Sequence, residues 1–267
     1  MQFPPEQSPL HKLIVASPQP IVASQHKLVL LWSAKSGCTF AVKWMLDHMG
    51  LLQEALAHHR WIHYYRIQKL YKSAAHKASI EDFANEPAAY RVVKIVRNPF
   101  KRALSSYIHA SQCGYEDVPM ANFLDRTVDA DNRYSFREFV AYLESIDLNA
   151  CDVHHRSQAH RLERVFAPGT RFVIDLDHSM ILLPRLERLL GLPRSKLNRY
   201  RQSHHHTRPS ERNATEFGGD ALLRITPKSK SELPGYRHFY DAELERRVYN
   251  LYAEDFLLYG FSTTLGS

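Results

Sequence analysis

Short apolar runs alternate along the chain with segments whose apolar residues recur at helical spacing. Three runs have the length and apolar composition of buried strands, and they cover residues 27–32, 90–96 and 171–176. Helical spacing follows each run, over residues 38–49, from Asn98 onward and over residues 179–190. Because such alternation is typical of parallel sheets, the pattern predicts an α/β fold: a central parallel β-sheet flanked by helices on both faces.

Residues with strong boundary preferences mark several of the predicted helices. Asn98 followed by Pro99 is a start signal, because asparagine caps a helix and proline fits its first turn. Three further helix starts are predicted at Ser79, Ser135 and Asp241, and three helix ends at Gly50, Gly191 and Gly260. The segment 53–73 is predicted to be helical and mostly polar. The last helix is expected to carry one apolar stripe, formed by Leu244, Val248, Leu251 and Leu258.

Two segments lack an apolar period. Residues 1–25 are rich in proline and serine and are predicted to be a loosely structured N-terminal segment, and residues 202–219 are predicted to be a loop. No linker interrupts the remainder. With 44% hydrophobic residues the chain has ample material for a core, so residues 26–267 are predicted to form a single α/β domain.

The charge balance favours anionic partners. Lysine and arginine exceed aspartate and glutamate by 35 − 28 = 7, which suits nucleotides, acidic glycans, nucleic acid or lipid headgroups. A nucleic-acid-binding module would call for a concentrated basic stripe with interleaved aromatic residues. Here the basic residues are scattered among acidic ones, so no nucleic-acid partner is expected.

The cysteines and the N-terminus bear on the compartment. Three cysteines at wide spacing support neither a disulfide framework nor a zinc site. The N-terminus lacks the basic start of a signal peptide, and no apolar run is long enough to be a transmembrane segment. We therefore expect a cytoplasmic protein. His204, His205 and His206 invite a metal interpretation, but adjacent histidines in a polar loop are usually solvated, and no metal is expected.

Cations follow two of the predicted strands. In SAKSGCT, after the first strand, Gly37 lets the backbone approach an anion, while Lys35 supplies charge and Thr39 a hydroxyl. A nucleoside-triphosphate loop has its lysine after the second glycine, whereas here the lysine precedes Gly37. Arg97 ends the second strand, with Ser105 up to two turns into the next helix. Two anion sites at neighbouring strand ends predict a ligand with phosphates at two places.

These segments resemble a known family. Lys35-Ser36-Gly37-Cys38-Thr39 is similar to the K-x-G-C-T loop of the Golgi-type carbohydrate sulfotransferases, which include the chondroitin and dermatan enzymes. The segment 97–107 resembles that family's R-D-P-F-x-R-x-x-S-x-Y motif. Weaker matches are 152–158, against D-x-H-W-x-P-Q with His155 for tryptophan and Ser157 for proline, and 252–261, against Y-x-x-D-F-x-x-F-G-Y.

The resemblance implies a co-substrate and an acceptor. The family uses 3′-phosphoadenosine 5′-phosphosulfate (PAPS) and releases 3′-phosphoadenosine 5′-phosphate (PAP). By position, Lys35, Ser36, Gly37, Cys38 and Thr39 would hold the 5′-phosphosulfate, in a P-loop-like arrangement, and Arg97 with Ser105 would hold the 3′-phosphate. The acceptor would be a hydroxyl group, most often of a carbohydrate. Its identity, the position that is sulfated and the oligomeric state stay open.

The chemistry leaves two candidate bases. Sulfuryl transfer moves charge onto the leaving bridging oxygen, where the resemblance places Lys35. A histidine suits the acceptor proton near neutral pH. His63, in RWIHYYR, lies between the two anion motifs, where related enzymes keep a histidine base. His154, the histidine of the D-x-H segment, is the other candidate, or else a contact to the acceptor.

Two other functions stay open from the sequence. A nucleotide-dependent kinase with a variant phosphate loop would use Ser36 after Lys35, and Asp175 or Asp177 near a strand end, for a metal-bound nucleotide. The missing upstream glycine counts against it. The second alternative is a catalytically inactive relative that binds glycans.

Overall fold

A computed structural model describes residues 8–166, 169–200, 217–226 and 233–265. By its internal contacts the chain forms two compact units. The first comprises residues 1–97 and 158–204, and the second comprises residues 98–157 and 205–267. The single domain expected over residues 26–267 stays a prediction.

The first unit contains a four-stranded sheet. Its strands, in spatial order, are β1 (Ile21–Ala23), β2 (Leu28–Leu31), β3 (Arg91–Val96) and β4 (Arg171–Asp175). The pairs β2–β3 and β3–β4 are parallel, whereas β1 runs antiparallel to β2 at the edge. The helices of this unit are α1 (Pro9–Val15), α2 (Cys38–His48), α3 (Leu52–His58), α4 (Ile62–Tyr65), α5 (Ala74–Asn85) and α9 (Ser179–Leu189).

Alternate residues of β2 enter different cores. Leu28 and Leu30 belong to an apolar cluster with residues of α2 and α9. Val29 and Leu31 belong to another cluster, which contains residues of α1 and α5. Since side chains alternate across a strand, both faces of the sheet are covered by helices. The predicted α/β fold with a central, mostly parallel sheet is confirmed.

The described part of the second unit is built of helices. These are α6 (Pro99–Cys113), α7 (Asp117–Leu124), α8 (Phe136–Glu144), α10 (Ala242–Leu251) and α11 (Ala253–Tyr259). An aromatic core that includes Phe100, Tyr107 and Phe256 holds them together. The caps predicted for this unit at Asn98 and Ser135 are confirmed: the Asn98 side chain accepts hydrogen bonds from two backbone N–H groups of α6, and Ser135 forms a capping box with Glu138.

Short turns connect these elements. They are 3₁₀ turns at Ser24–His26, Pro87–Ala89, Arg161–Arg164, Leu176–His178, Leu197–Arg199 and Tyr236–Phe239, and a π turn at Arg66–Leu70. No helix in the described ranges is long and apolar enough to cross a membrane.

Four expectations differ from the structure. The segment 1–25 is not loose throughout, because α1 begins at a Ser8 cap and β1 is fully buried in the sheet. The helix expected at Ser79 starts earlier, with Ser73 as its cap, and Ser79 lies inside α5. Segment 53–73 is broken into α3, α4 and the π turn.

The fourth difference concerns the last helix, which is interrupted at Tyr252. The break separates α10 from α11 and leaves Leu258 39% exposed, whereas Leu244 and Val248 are buried. Of the predicted loop 202–219, only residues 217–219 lie within the described ranges, and they belong to no helix or strand.

Candidate active site

The first predicted anion site is the turn between β2 and α2. Gly37 has φ 78°, in the left-handed region, and stands at the N-cap of α2. A Cβ atom there would lie only 2.5 Å from Cδ1 of Leu176, so the position also lacks room for a side chain. No side chain of a described residue caps α2. Its first backbone N–H groups therefore suit an anion, with the helix dipole in support.

Arg97 reaches the same turn. It follows the carboxyl end of β3. Because β3 pairs in parallel with β2, both anion motifs lie at the carboxyl ends of the two strands, on the same side of the sheet. Nη1 of Arg97 donates to the backbone carbonyl of Lys35 at 3.2 Å. Lys35 itself has a left-handed backbone with φ 63°. The guanidinium of Arg97 thus supports the turn in which Lys35 is held in an uncommon conformation.

Gln158 joins the two motifs, and the sequence assigned it no role. Its side-chain oxygen accepts hydrogen bonds from the backbone N–H of Arg97, at 2.8 Å, and from the hydroxyl of Ser36, at 2.5 Å. Its amide nitrogen donates to the carbonyl of Arg97 at 2.8 Å. Because Gln158 is 1% exposed, these bonds fix the turn relative to the strand end. The only sequence signal was that Gln158 ends the D-x-H segment.

A buried cation lies behind the turn. Lys94, on β3, is fully buried; its Nζ donates to the hydroxyl of Ser33 at 2.6 Å and lies 3.8 Å from a carboxylate oxygen of Glu163. The hydroxyl of Ser33 donates in turn to the carbonyl of Gln158 at 3.1 Å. A strand expected to be apolar therefore contains a charge that is satisfied by Glu163 and by the turn.

His63 lies against the start of α2. Its Nε2 is 3.1 Å from the hydroxyl of Thr39 and 3.5 Å from the thiol of Cys38. The imidazole is enclosed by aromatic rings, with centroid distances of 5.7 Å to Trp61 and 6.3 Å to Trp32. The structure thus brings together, in the first unit, Lys35, Ser36, Gly37, Cys38, Thr39, His63 and Arg97.

The second unit contains the other two predicted residues. Ser105 is half-buried on α6. His154 is 31% exposed, and its Nδ1 is 2.6 Å from a carboxylate oxygen of Asp152. The hydrogen bond from His154 is the largest cause that lowers the pKa of Asp152 to about 2. His154 also packs against His109, at 4.5 Å between ring centroids.

The two residues that differ from the D-x-H-W-x-P-Q pattern both make polar contacts in the structure. His155, in place of tryptophan, is fully buried; its Nδ1 is 2.7 Å from Oγ of Ser106 and its Nε2 is 3.0 Å from Glu116. Ser157, in place of proline, donates to the buried carboxylate of Asp255 at 2.5 Å. Both substitutions therefore make hydrogen bonds within the second unit.

The described residues include no cluster of three or more histidine, cysteine, aspartate or glutamate side chains arranged to hold a metal ion. His204, His205 and His206 lie outside the described ranges.

Comparison with known families agrees with the geometry of the turn. The sequence model of the Sulfotransferase family matches residues 18–262. The chain belongs to the Sulfotransferase family. The match confirms the resemblance drawn from the motifs and supports sulfuryl transfer as the activity. It spans every residue predicted for the site in this sulfotransferase. Comparisons with curated proteins and with solved structures gave no match.

Proposed function

We propose that this sulfotransferase transfers the sulfuryl group of PAPS to a hydroxyl group of a carbohydrate, with His63 as the base. The observation that carries the proposal is the convergence on one turn. Arg97 donates to the carbonyl of Lys35, and His63 contacts Thr39 at the start of α2. Together with the uncapped N–H groups at the start of α2, these contacts support the turn as the binding position of the donor's anionic group.

The turn fits a phosphosulfate. The crowded, left-handed Gly37 allows the backbone to approach oxygen atoms closely. The start of α2 and the charge of Lys35 complement the negative charge of the 5′ group. We assign the 3′-phosphate to Arg97, whose planar guanidinium suits a phosphate monoester, and to Ser105 on the basis of the motif.

The proposed reaction is a single in-line displacement. The acceptor oxygen forms a bond to sulfur while the bond between sulfur and the bridging oxygen breaks, and PAP leaves. The proton of the acceptor hydroxyl passes to His63. Lys35 stabilises the charge that develops on the bridging oxygen. The aromatic rings around His63 keep bulk water from the imidazole.

Exposed aromatic side chains support a carbohydrate acceptor. Trp61 and Tyr64, on either side of His63 in the sequence, are 44% and 42% exposed. Tryptophan and tyrosine combine apolar ring faces with a polar N–H or O–H group. They therefore suit a ligand that has both apolar C–H surface and hydroxyl groups, as a sugar ring has.

Calorimetric titration tests the donor. We expect PAP to bind the wild-type protein, ATP with Mg²⁺ not to bind, and Arg97→Ala to lose PAP affinity by more than tenfold. Arg91→Ala is the matched control, because Arg91 is exposed at the opposite end of the same strand. Binding of ATP alone would favour the kinase, and the absence of binding by either nucleotide would favour an inactive relative.

A further inference from the structure

Arg66 has a buried guanidinium, and no carboxylate among the described residues forms an ion pair with it. The residue is 6% exposed, and its guanidinium stacks on Trp32 with 3.8 Å between Cζ and the ring centroid. Its Nε and Nη1 are buried and have no hydrogen-bond partner in the part of the chain that the structure describes. Burial lowers the pKa of Arg66 below its usual value and outweighs Tyr71 and Cys38, which raise it.

Such an arrangement is costly unless a ligand completes it. An uncompensated charge in the protein interior loses its hydration, and the face of an indole ring replaces only part of that loss. Arg171, another arginine of the first unit, illustrates the contrast, because its Nη1 lies 3.8 Å from a carboxylate oxygen of the buried Glu163. A guanidinium binds an oxyanion through its Nε–Nη2 edge or its Nη1–Nη2 edge, and each of these edges includes one of the two unpartnered nitrogen atoms.

Arg66 is close to the candidate base His63 in the sequence, and both side chains contact Trp32. Arg66 follows His63 by three residues, so the two side chains leave the same face of the helical segment. Both contact Trp32, His63 at 6.3 Å between centroids and Arg66 at 3.8 Å. Arg66 also begins the π turn, in which the N–H of Tyr71 donates to the carbonyl of Arg66 at 3.0 Å. Single π turns occur often at functional sites.

We propose that Arg66 binds an oxyanion beside His63, as a binding residue that none of the sequence motifs contains. The inference rests on the proposed function, within which the oxyanion has two possible sources. One is the phosphosulfate of the donor, and the other is a carboxylate of an acidic acceptor. Both present the same chemistry to the guanidinium, and the experiment separates them.

The test compares Arg66→Gln with Arg60→Gln, which removes an exposed arginine from the same segment. Each protein is titrated with PAP, and then, saturated with PAP, with a glucuronate-containing hexasaccharide and with its carboxyl-reduced form. The donor source predicts that PAP affinity falls at least tenfold in Arg66→Gln alone. The acceptor source predicts unchanged PAP affinity and loss of an at least tenfold preference for the acidic hexasaccharide. Arg66→Lys, which keeps the charge without the fork, is measured in parallel should Arg66→Gln fail to fold.

Two results would overturn the inference. If the wild type binds PAP and Arg66→Gln matches it in both titrations, Arg66 binds no oxyanion and the proposed function is unaffected. If Arg66→Lys has to be used in its place and matches the wild type, the guanidinium makes no paired N–H contact with an oxyanion, and the inference is overturned in that form. If the wild type does not bind PAP, the proposed function fails, and the inference fails with it.

Discussion

His63 and His154 are both candidates for the base, yet their surroundings differ. His63, in the first unit, is 6% exposed, enclosed by aromatic rings, and directed at Thr39 and Cys38 in the anion turn. His154, in the second unit, is 31% exposed and directed at the carboxylate of Asp152. One imidazole is therefore engaged by the turn proposed to hold the donor, and the other by an acidic neighbour.

The difference teaches that a histidine's role follows from what its nitrogen atoms contact. A base for sulfuryl transfer must lie within hydrogen-bond reach of the acceptor proton that it takes. His63 contacts Thr39, in the turn that we propose to bind the donor. The pairing of His154 with Asp152 holds its ring beside His109, a position suited to contact with an acceptor. Three predictions test this contrast.

The largest expected effect is a difference in kcat between variants of the two histidines. His63→Gln is expected to lower kcat by about 10²–10⁴, the usual contribution of a positioned base, whereas His154→Gln lowers kcat less than tenfold. The measurement is steady-state transfer from PAPS, with PAP affinity as the control, which we expect to be unchanged in both variants. A larger loss of kcat in His154→Gln would assign the base to the second unit.

A second prediction compares two adjacent residues that belong to different units. Gln158→Ala leaves buried partners at Arg97 and Ser36 without their hydrogen bonds, which costs about 1–3 kcal/mol of unfolding free energy. Displacement of the turn is expected to weaken PAP binding by roughly tenfold. Ser157→Ala removes a hydrogen bond to Asp255 and is expected to lower stability while PAP affinity is kept. Equal PAP affinities in the two variants would contradict the role given to Gln158.

The smallest expected effect is a pH dependence in the second unit. The folded-state pKa of Asp152 is lowered to about 2, below its unfolded value of about 3.9. The ionised carboxylate therefore stabilises the folded state above pH about 4, and this contribution disappears as the pH falls from about 4 to about 2.

Thermal unfolding of the wild type and of Asp152→Asn across pH 2–7 measures this dependence. The wild type is expected to melt at a slightly higher temperature near neutral pH, and the difference should close toward pH 2. His154→Gln should behave like Asp152→Asn, because it removes the hydrogen bond that lowers the pKa. A difference that persists at pH 2 would show that another interaction of Asp152 is responsible.

Local patterns predicted the elements whose residues interact with near neighbours in the chain. The caps at Asn98, Ser135 and Asp241 were predictable because each side chain bonds to N–H groups two or three residues later. The same reasoning misplaced a helix start at Ser79, because its hydroxyl bonds instead to Ser24 and to the carbonyl of Ala75. Competing caps of similar chemistry are not separable by local sequence alone.

The sequence by itself determined the α/β class, the turn after β2 and the family, because periodicity and motif order are local properties of the chain. Only the tertiary structure placed Gln158 between Arg97 and Ser36, 61 and 122 residues away in the chain. It also buried Arg66 against Trp32. Such contacts depend on which elements meet across the sheet. A contact between residues that are far apart in the chain produces no periodic pattern in the sequence around either of them.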